Sequence, residues 1–189
     1  MAMTAKARGR KLTLRQLEGR AANAVAEMLR KRLSVPNIYL EPPSSIISAD
    51  VLAVDRAGAG DLHAVEIKWF GQSEKERSST GHDTETALHR VQETTKSWLR
   101  QLAAMPAHYK YLAIPRSSWR FVKTVLAPML LAADGIGKIG IIEIVERGEE
   151  SPVAELLLLP ERFRVDAAKL RNIETKFLEK VRPDIAVRI

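Results

Sequence analysis

The chain's 189 residues suffice for one domain, and 46% apolar with 28% charged residues describes a soluble globular protein rather than a disordered one. The absence of cysteine excludes disulfide frameworks, iron–sulfur clusters, thiolate zinc sites and thiol catalysis, and agrees with a cytoplasmic location. Thirty Lys and Arg against 23 Asp and Glu leave a net charge of +7, which favours polyanionic partners, nucleic acid ahead of an anionic membrane surface.

Residues 1–12 read as a basic, flexible tail without the apolar stretch of a secretory signal. Residues 13–189 show no repeat and no break in composition, so one domain is expected. From Thr13 to Leu33 the pattern is helical: Leu14, Leu17, Ala21, Val25, Met28 and Leu29 share one face, Thr13 is placed to cap the start, and Ser34-Val35-Pro36 ends the run. Asn37 to Ser48 contains a short apolar stretch, NIYL, and a Pro-Pro turn, which predicts one irregular strand. Two stronger strand patterns follow, Asp50–Asp55 (DVLAVD) and His63–Phe70 (HAVEIKWF), joined by a tight turn that lets them pair as a hairpin. Both are apolar at neighbouring as well as alternate positions, as in strands covered on both faces. A polar loop occupies 71–83, and Asp83 or Thr84 can cap a helix running to Ala104.

The remaining elements are a strand from Tyr109 to Pro115, a helix from Trp119 to Ala133 stopped by Gly135, a hairpin of 139–146 and 153–160, and an amphipathic helix from Asp166 to Val181. No run approaches the roughly 20 apolar residues of a membrane span, so no membrane partner is expected. The order predicts an α/β protein with a mixed central sheet flanked by helices: an αβββαβ core followed by a helix, a β-hairpin and a last helix.

Glu66-Ile67-Lys68 is the first candidate for chemistry. With 16 Glu and 12 Lys, about one Glu-x-Lys arises by chance, and a second copy stands at Glu174-Thr175-Lys176. Context separates the two. Residues two apart on a strand share a face, so Glu66 and Lys68 project together, whereas on a helix Glu174 and Lys176 diverge. A carboxylate and an ammonium on a central strand are costly to bury unless both are compensated. Asp50, opening the preceding strand, supplies a second carboxylate at the adjacent strand end. Such a pair makes a hard oxygen site of the kind Mg²⁺ prefers.

Asp50, fifteen intervening residues, then Glu66-x-Lys68 on a second strand behind an amphipathic helix resembles the PD-(D/E)xK nuclease superfamily, the restriction-endonuclease-like fold. The resemblance covers residues 13–115, whose helix, three strands, helix, strand follow that family's core order. It implies metal binding by Asp50, Glu66 and the backbone carbonyl of Ile67, with Lys68 orienting or activating the attacking water. Ala49 departs from the motif's proline. Many members also carry an acidic residue on the first helix. At about 100° per residue from Leu14, Glu18 falls near 40°, inside the apolar arc, and Glu27 near 220°, on the solvated side, so Glu18 is the fourth catalytic candidate. On the helix 84–104, Gln92 and Lys96 match positions that support the active site in several members.

The resemblance implies a Mg²⁺-dependent DNA endonuclease, with Mn²⁺ able to substitute, that hydrolyses phosphodiester bonds by in-line attack of water. Its size and first-helix acid place it nearest to archaeal Holliday junction resolvases, hence DNA repair and recombination. Restriction and mobile-element nucleases share the core. A homodimer is compatible, since cutting both strands needs two sites. Arg15, Arg20, Lys75, Arg77, Arg100 and Arg116 are the candidate phosphate-backbone contacts. The rival readings are a non-catalytic nucleic-acid-binding protein that keeps the fold, and a basic protein binding RNA or protein with a structural acidic pair.

Other motifs carry less. Gly135-Ile136-Gly137-Lys138-Ile139-Gly140 fits G-x-G-x-x-G, but it follows a helix and precedes a strand, the reverse of a dinucleotide site. It reads as a helix end and turn, with no nucleotide cofactor. His63, His82, His89 and His108 lack zinc-ligand spacing.

Overall fold

Six strands form one mixed sheet with helices on both faces, the α/β architecture expected from the order of elements. The computed structural model describes residues 13–42, 44, 47–55, 60–69, 84–130, 138–148, 150–173 and 175. Along them run helix α1 (Leu14–Leu33), strands β1 (Asn37–Leu40), β2 (Val51–Val54) and β3 (Leu62–Ile67), helix α2 (Thr84–Ala104), strand β4 (Tyr109–Pro115), helix α3 (Arg116–Leu130), strands β5 (Gly140–Val145) and β6 (Val153–Leu158), and helix α4 (Ala167–Ile173). The basic tail, the polar loop 71–83 with Lys75 and Arg77, and the end of the last expected helix lie outside the described residues.

The spatial strand order is the chain order, β1 to β6. β2 runs antiparallel to both β1 and β3; β3, β4 and β5 are parallel, and β6 returns antiparallel to β5. The two parallel crossovers step in the same direction, so right-handed connections put α2 and α3 on one face. Helix α1 covers the other, packing along β6, β5 and β1 to β3. Strand alternation divides the core accordingly. Val51, Ala53, Val65, Ile67, Tyr111 and Ala113 pack with α1, while Leu52, Val54, Leu62, Ala64, Leu112 and Ile114 pack with α2 and α3.

Local signals account for most element ends. Thr13 closes a reciprocal capping box with Gln16: its backbone N–H donates to Gln16 Oε1 at 2.8 Å, and its hydroxyl accepts from the Gln16 N–H at 3.3 Å. Asp166 Oδ1 accepts from the N–H groups of Ala168 (2.7 Å) and Lys169 (3.2 Å), opening α4. Helix α3 departs from expectation. It begins at Arg116, straight after β4, rather than at Trp119, because its first turn is satisfied from another element. Glu146, just past β5, accepts from the Ser117 N–H (3.2 Å) and hydroxyl (2.5 Å).

Beyond β6 the chain returns across the sheet. Arg162 makes a two-pronged contact with Asp61, Nε to Oδ2 at 3.1 Å and one terminal N to Oδ1 at 2.8 Å, and Phe163 N–H donates to His108 O at 2.8 Å. Gly140, last of the glycine series, opens β5 in a space that admits no side chain. An added Cβ would stand 2.8 Å from a Tyr111 ring carbon and 2.9 Å from Leu158 O. Gly140→Ala is therefore expected to destabilise by about 1–3 kcal/mol through forced displacement of packed neighbours, measured by urea denaturation with an unchanged m-value.

Candidate metal and active site

Strand β3 lies inside the sheet, between β2 and β4, and five of its six residues are buried. Its exception is Glu66. Alternation from Leu62 and Ala64 directs Glu66 to the α2–α3 face near the strand's carboxyl end. β3 stops at Ile67, short of the expected Phe70, so Lys68 follows the strand. The Lys68 N–H still donates to Ala113 O at 3.0 Å, extending the pairing with β4 by one residue. Its ammonium bonds Glu66 Oε1, as expected of positions i and i+2.

Asp50 directly precedes β2, whose Val51 pairs with Val65. Its N–H donates to Val65 O at 3.0 Å, and its Oδ2 accepts from the Ile67 N–H at 2.6 Å. Asp50 thus holds both chain neighbours of Glu66 and is locked beside it. The fold brings together Asp50, Glu66 and Lys68, the three residues singled out in the sequence. Ile67 meets the site through its N–H.

Burial raises the pKa of both carboxyls. The Ile67 hydrogen bond and the Lys68 charge oppose it at Asp50, and the Lys68 hydrogen bond opposes it at Glu66, while the charge of Asp50 pushes Glu66 further up. Glu66 is only 12% exposed at its side chain, and its Oε2, like the nearby Trp69 Nε1, is buried with no hydrogen-bond partner among the described residues. A buried, unpaired carboxylate oxygen is strongly disfavoured. Two carboxylates held side by side with one oxygen unsatisfied fit a small hard cation, which takes one or two carboxylates and completes its shell with water or phosphate oxygens. Among the described residues no cluster of three or more His, Asp or Glu could hold a metal alone, so such a cation would draw the rest of its shell from solvent or substrate.

The other expected site residues fare differently. Glu18 is exposed, which corrects the expectation that it faces the core. Its angle on the helix is right but its axial position is not. Arg15, Gln16 and Glu18 are exposed and Leu17 only half-buried, and continuous burial begins at Ala21. Helix α1 also packs on the face opposite to Glu66. An acidic residue the pattern did not single out, Glu41, lies within electrostatic reach of Asp50 and raises its pKa. Its N–H donates to Asp50 O at 2.9 Å, and it sits just past β1 at φ 47°. An acid flanked by a short strand and Pro-Pro is the only sequence signal for it.

On α2, Lys96 pairs with Glu93 at 2.8 Å and Gln92 is half-buried; among the described residues, no hydrogen bond joins either to Asp50, Glu66 or Lys68. Arg15 and Arg100 are exposed, and Arg20 is half-buried. Arg116 is engaged: it donates at 2.6 Å to Glu143, a buried acid on β5. That bond compensates a charge inside the sheet, a role the sequence pattern did not assign to Arg116.

No protein-family model matches the chain, and no curated protein matches it. Among solved structures, the SPO1766 protein of unknown function from Silicibacter pomeroyi is similar to it, at 15% identity over 86% of this chain and 84% of that chain, with a TM-score of 0.48. That likeness is too slight to carry an argument about activity. Among the described residues, no helix is long and apolar enough to cross a membrane.

Asp50 carries a half-buried negative charge that Asn would remove while keeping an oxygen for the Ile67 N–H. In EDTA at neutral pH, Asp50→Asn is therefore expected to raise the melting temperature. The sign follows from linkage: a carboxyl with a raised folded-state pKa stabilises the fold below its unfolded pKa, and that contribution is lost as pH rises through the folded value. The gain should accordingly shrink on acidification through the carboxylate range. A fall in melting temperature at neutral pH would mark Asp50 as a purely structural acid.

Proposed function

We propose that the chain is a Mg²⁺-dependent phosphodiesterase acting on DNA, built on a restriction-endonuclease-like core. The observation that carries this reading is the buried, unpartnered Glu66 Oε2 beside Asp50. The order of elements supports it: helix, three strands, helix, strand is the core order that the sequence resemblance implies. The position supports it as well, since in sheets with parallel strands ligands bind beyond the carboxyl ends, where β3 presents Glu66 and Lys68.

In this reading Asp50, Glu66 and the Ile67 carbonyl hold the cation. When bound, it supplies Lewis-acid polarisation of the scissile phosphate and lowers the pKa of water at neutral pH. The protein's own part is positional and electrostatic. The Ile67 N–H fixes the Asp50 carboxylate, which frees its other oxygen to face the cation. Lys68, tethered through Glu66, places a positive charge where negative charge develops on the phosphate. Glu41 adds negative potential on the Asp50 side. The net charge of +7 draws a polyanion to the surface, with Arg15 and Arg100 free of the buried pairing that engages Arg116. Branched DNA and a role in repair or recombination remain the favoured substrate and setting, by the resemblance to junction resolvases.

The Lys68–Glu66 bond also favours a second reading, in which the acidic pair is structural and the protein binds nucleic acid without cutting it. An assay on linear, branched and single-stranded DNA with Mg²⁺ or EDTA separates the two. The enzyme reading expects cleavage with Mg²⁺ or Mn²⁺, none in EDTA, and a loss of about 100-fold or more in folded Asp50→Ala or Lys68→Ala. Retained cleavage by either variant overturns it. DNA binding without cleavage in any metal identifies the non-catalytic protein.

Metal binding should also appear without activity. Mg²⁺ is expected to raise the melting temperature at neutral pH, and to raise it less at weakly acidic pH. Burial lifts both carboxyl pKa values, so protons compete for the ligand oxygens further up the pH scale. In Glu66→Gln the Mg²⁺ shift should vanish.

A further inference from the structure

The sheet has two edges, and they are built differently. β1 is short and lies between Pro36 and Pro42, a common way to blunt an edge against further pairing. β6 is also bracketed by prolines, Pro152 and Pro160, but it is longer, at six residues, and exposes leucines along its end. Among the described residues nothing pairs with its outer side, and Leu156 to Leu159 form a run with neither charge nor proline. Leu157, Leu158 and Leu159 are 48%, 41% and 68% exposed, the large exposed apolar residues of the described surface. An apolar edge strand with a free ladder of N–H and C=O groups is a template for another strand.

Beside this edge runs an open groove of about 960 Å³ between α1 and β6. Ala24 and Met28 give it apolar walls, and its charged groups are Glu27, Glu155, Lys31 and Arg32. Two acids against two bases make it locally neutral on a chain of net charge +7. A polyanion gains little here. A second copy of the same basic protein, repelled elsewhere, meets no net repulsion on this face.

We infer that the β6 edge and the flank of α1 form a homodimer interface in which β6 pairs with β6 of a second copy about a two-fold axis. Pairing about such an axis is necessarily antiparallel, the geometry with the more stable ladder. An axis normal to the sheet keeps both α1 helices on one face, running antiparallel along the seam. Glu27 and Lys31, which pair within one helix, are then free to exchange partners across it. The interface is three strands from β3, on the α1 side of the sheet, so it neither requires nor obstructs the cation site. The inference stands independently of the phosphodiesterase reading.

Sedimentation equilibrium of the full chain over a micromolar concentration range tests it. A reversible dimer is expected, with amide exchange in β6 slowing as concentration rises. Leu157→Lys with Leu158→Lys alters two exposed positions and should weaken the dimer about 100-fold or more while the melting temperature of the dilute monomer holds. Glu27→Lys should weaken it through an independent contact, and the swap Glu27→Lys with Lys31→Glu should restore it. A wild-type chain that stays monomeric, including one that binds anionic vesicles instead, overturns the proposal. So does a dimer indifferent to both the leucine and the charge variants.

Discussion

A strand with neighbours on both sides and helices over both faces leaves its polar side chains little access to bulk water. β3 is such a strand, and the site follows from how the chain handles the charges at its end. Asp50 is fixed by the Ile67 N–H and Glu66 by the Lys68 ammonium, which leaves Glu66 Oε2 as the group this arrangement does not satisfy. Neutralising it with a proton or with a cation are the two physical remedies.

Other buried polar groups among the described residues are treated otherwise. Glu143, in the parallel part of the sheet, is met by Arg116. His63 is held at both ring nitrogens, by Asp55 at 2.8 Å and the Tyr111 hydroxyl at 3.0 Å, and stacks on Tyr109. Lys110, pushed down to a pKa of about 8 by burial, donates to Ala103 O and lies 4.0 Å over the Phe163 ring. Against that background the unpaired Glu66 oxygen, with the nearby unpaired Trp69 indole N–H, stands out among the described residues.

The surface divides by charge as well. The proposed site lies at the carboxyl end of β3 in a strongly basic chain, whereas the groove along β6 sets balanced charges among apolar walls. The two regions lie on different parts of one sheet, so the proposed cation site and the proposed self-association edge do not compete for the same residues.

The sequence by itself determined the elements and the pairing of Asp50 with Glu66-x-Lys68, because both are local or nearly so. Period-two and period-3.6 patterns mark strands and helices, a capping residue marks Thr13, and a short turn forces β2 against β3, which brings the acids to adjacent strand ends. What depended on distant partners only the tertiary structure decided. Helical periodicity gives the angle of Glu18 but not that its turn overhangs the sheet. Composition makes Arg116 a candidate for phosphate but cannot know that Glu143, 27 positions on, is buried beside it. The early start of α3 needed Glu146, and the reach of Glu41 to Asp50 needed the β1–β2 pairing. Side-chain roles set by contacts across strands emerge only once the sheet is assembled, because no local pattern encodes which strand lies next to which.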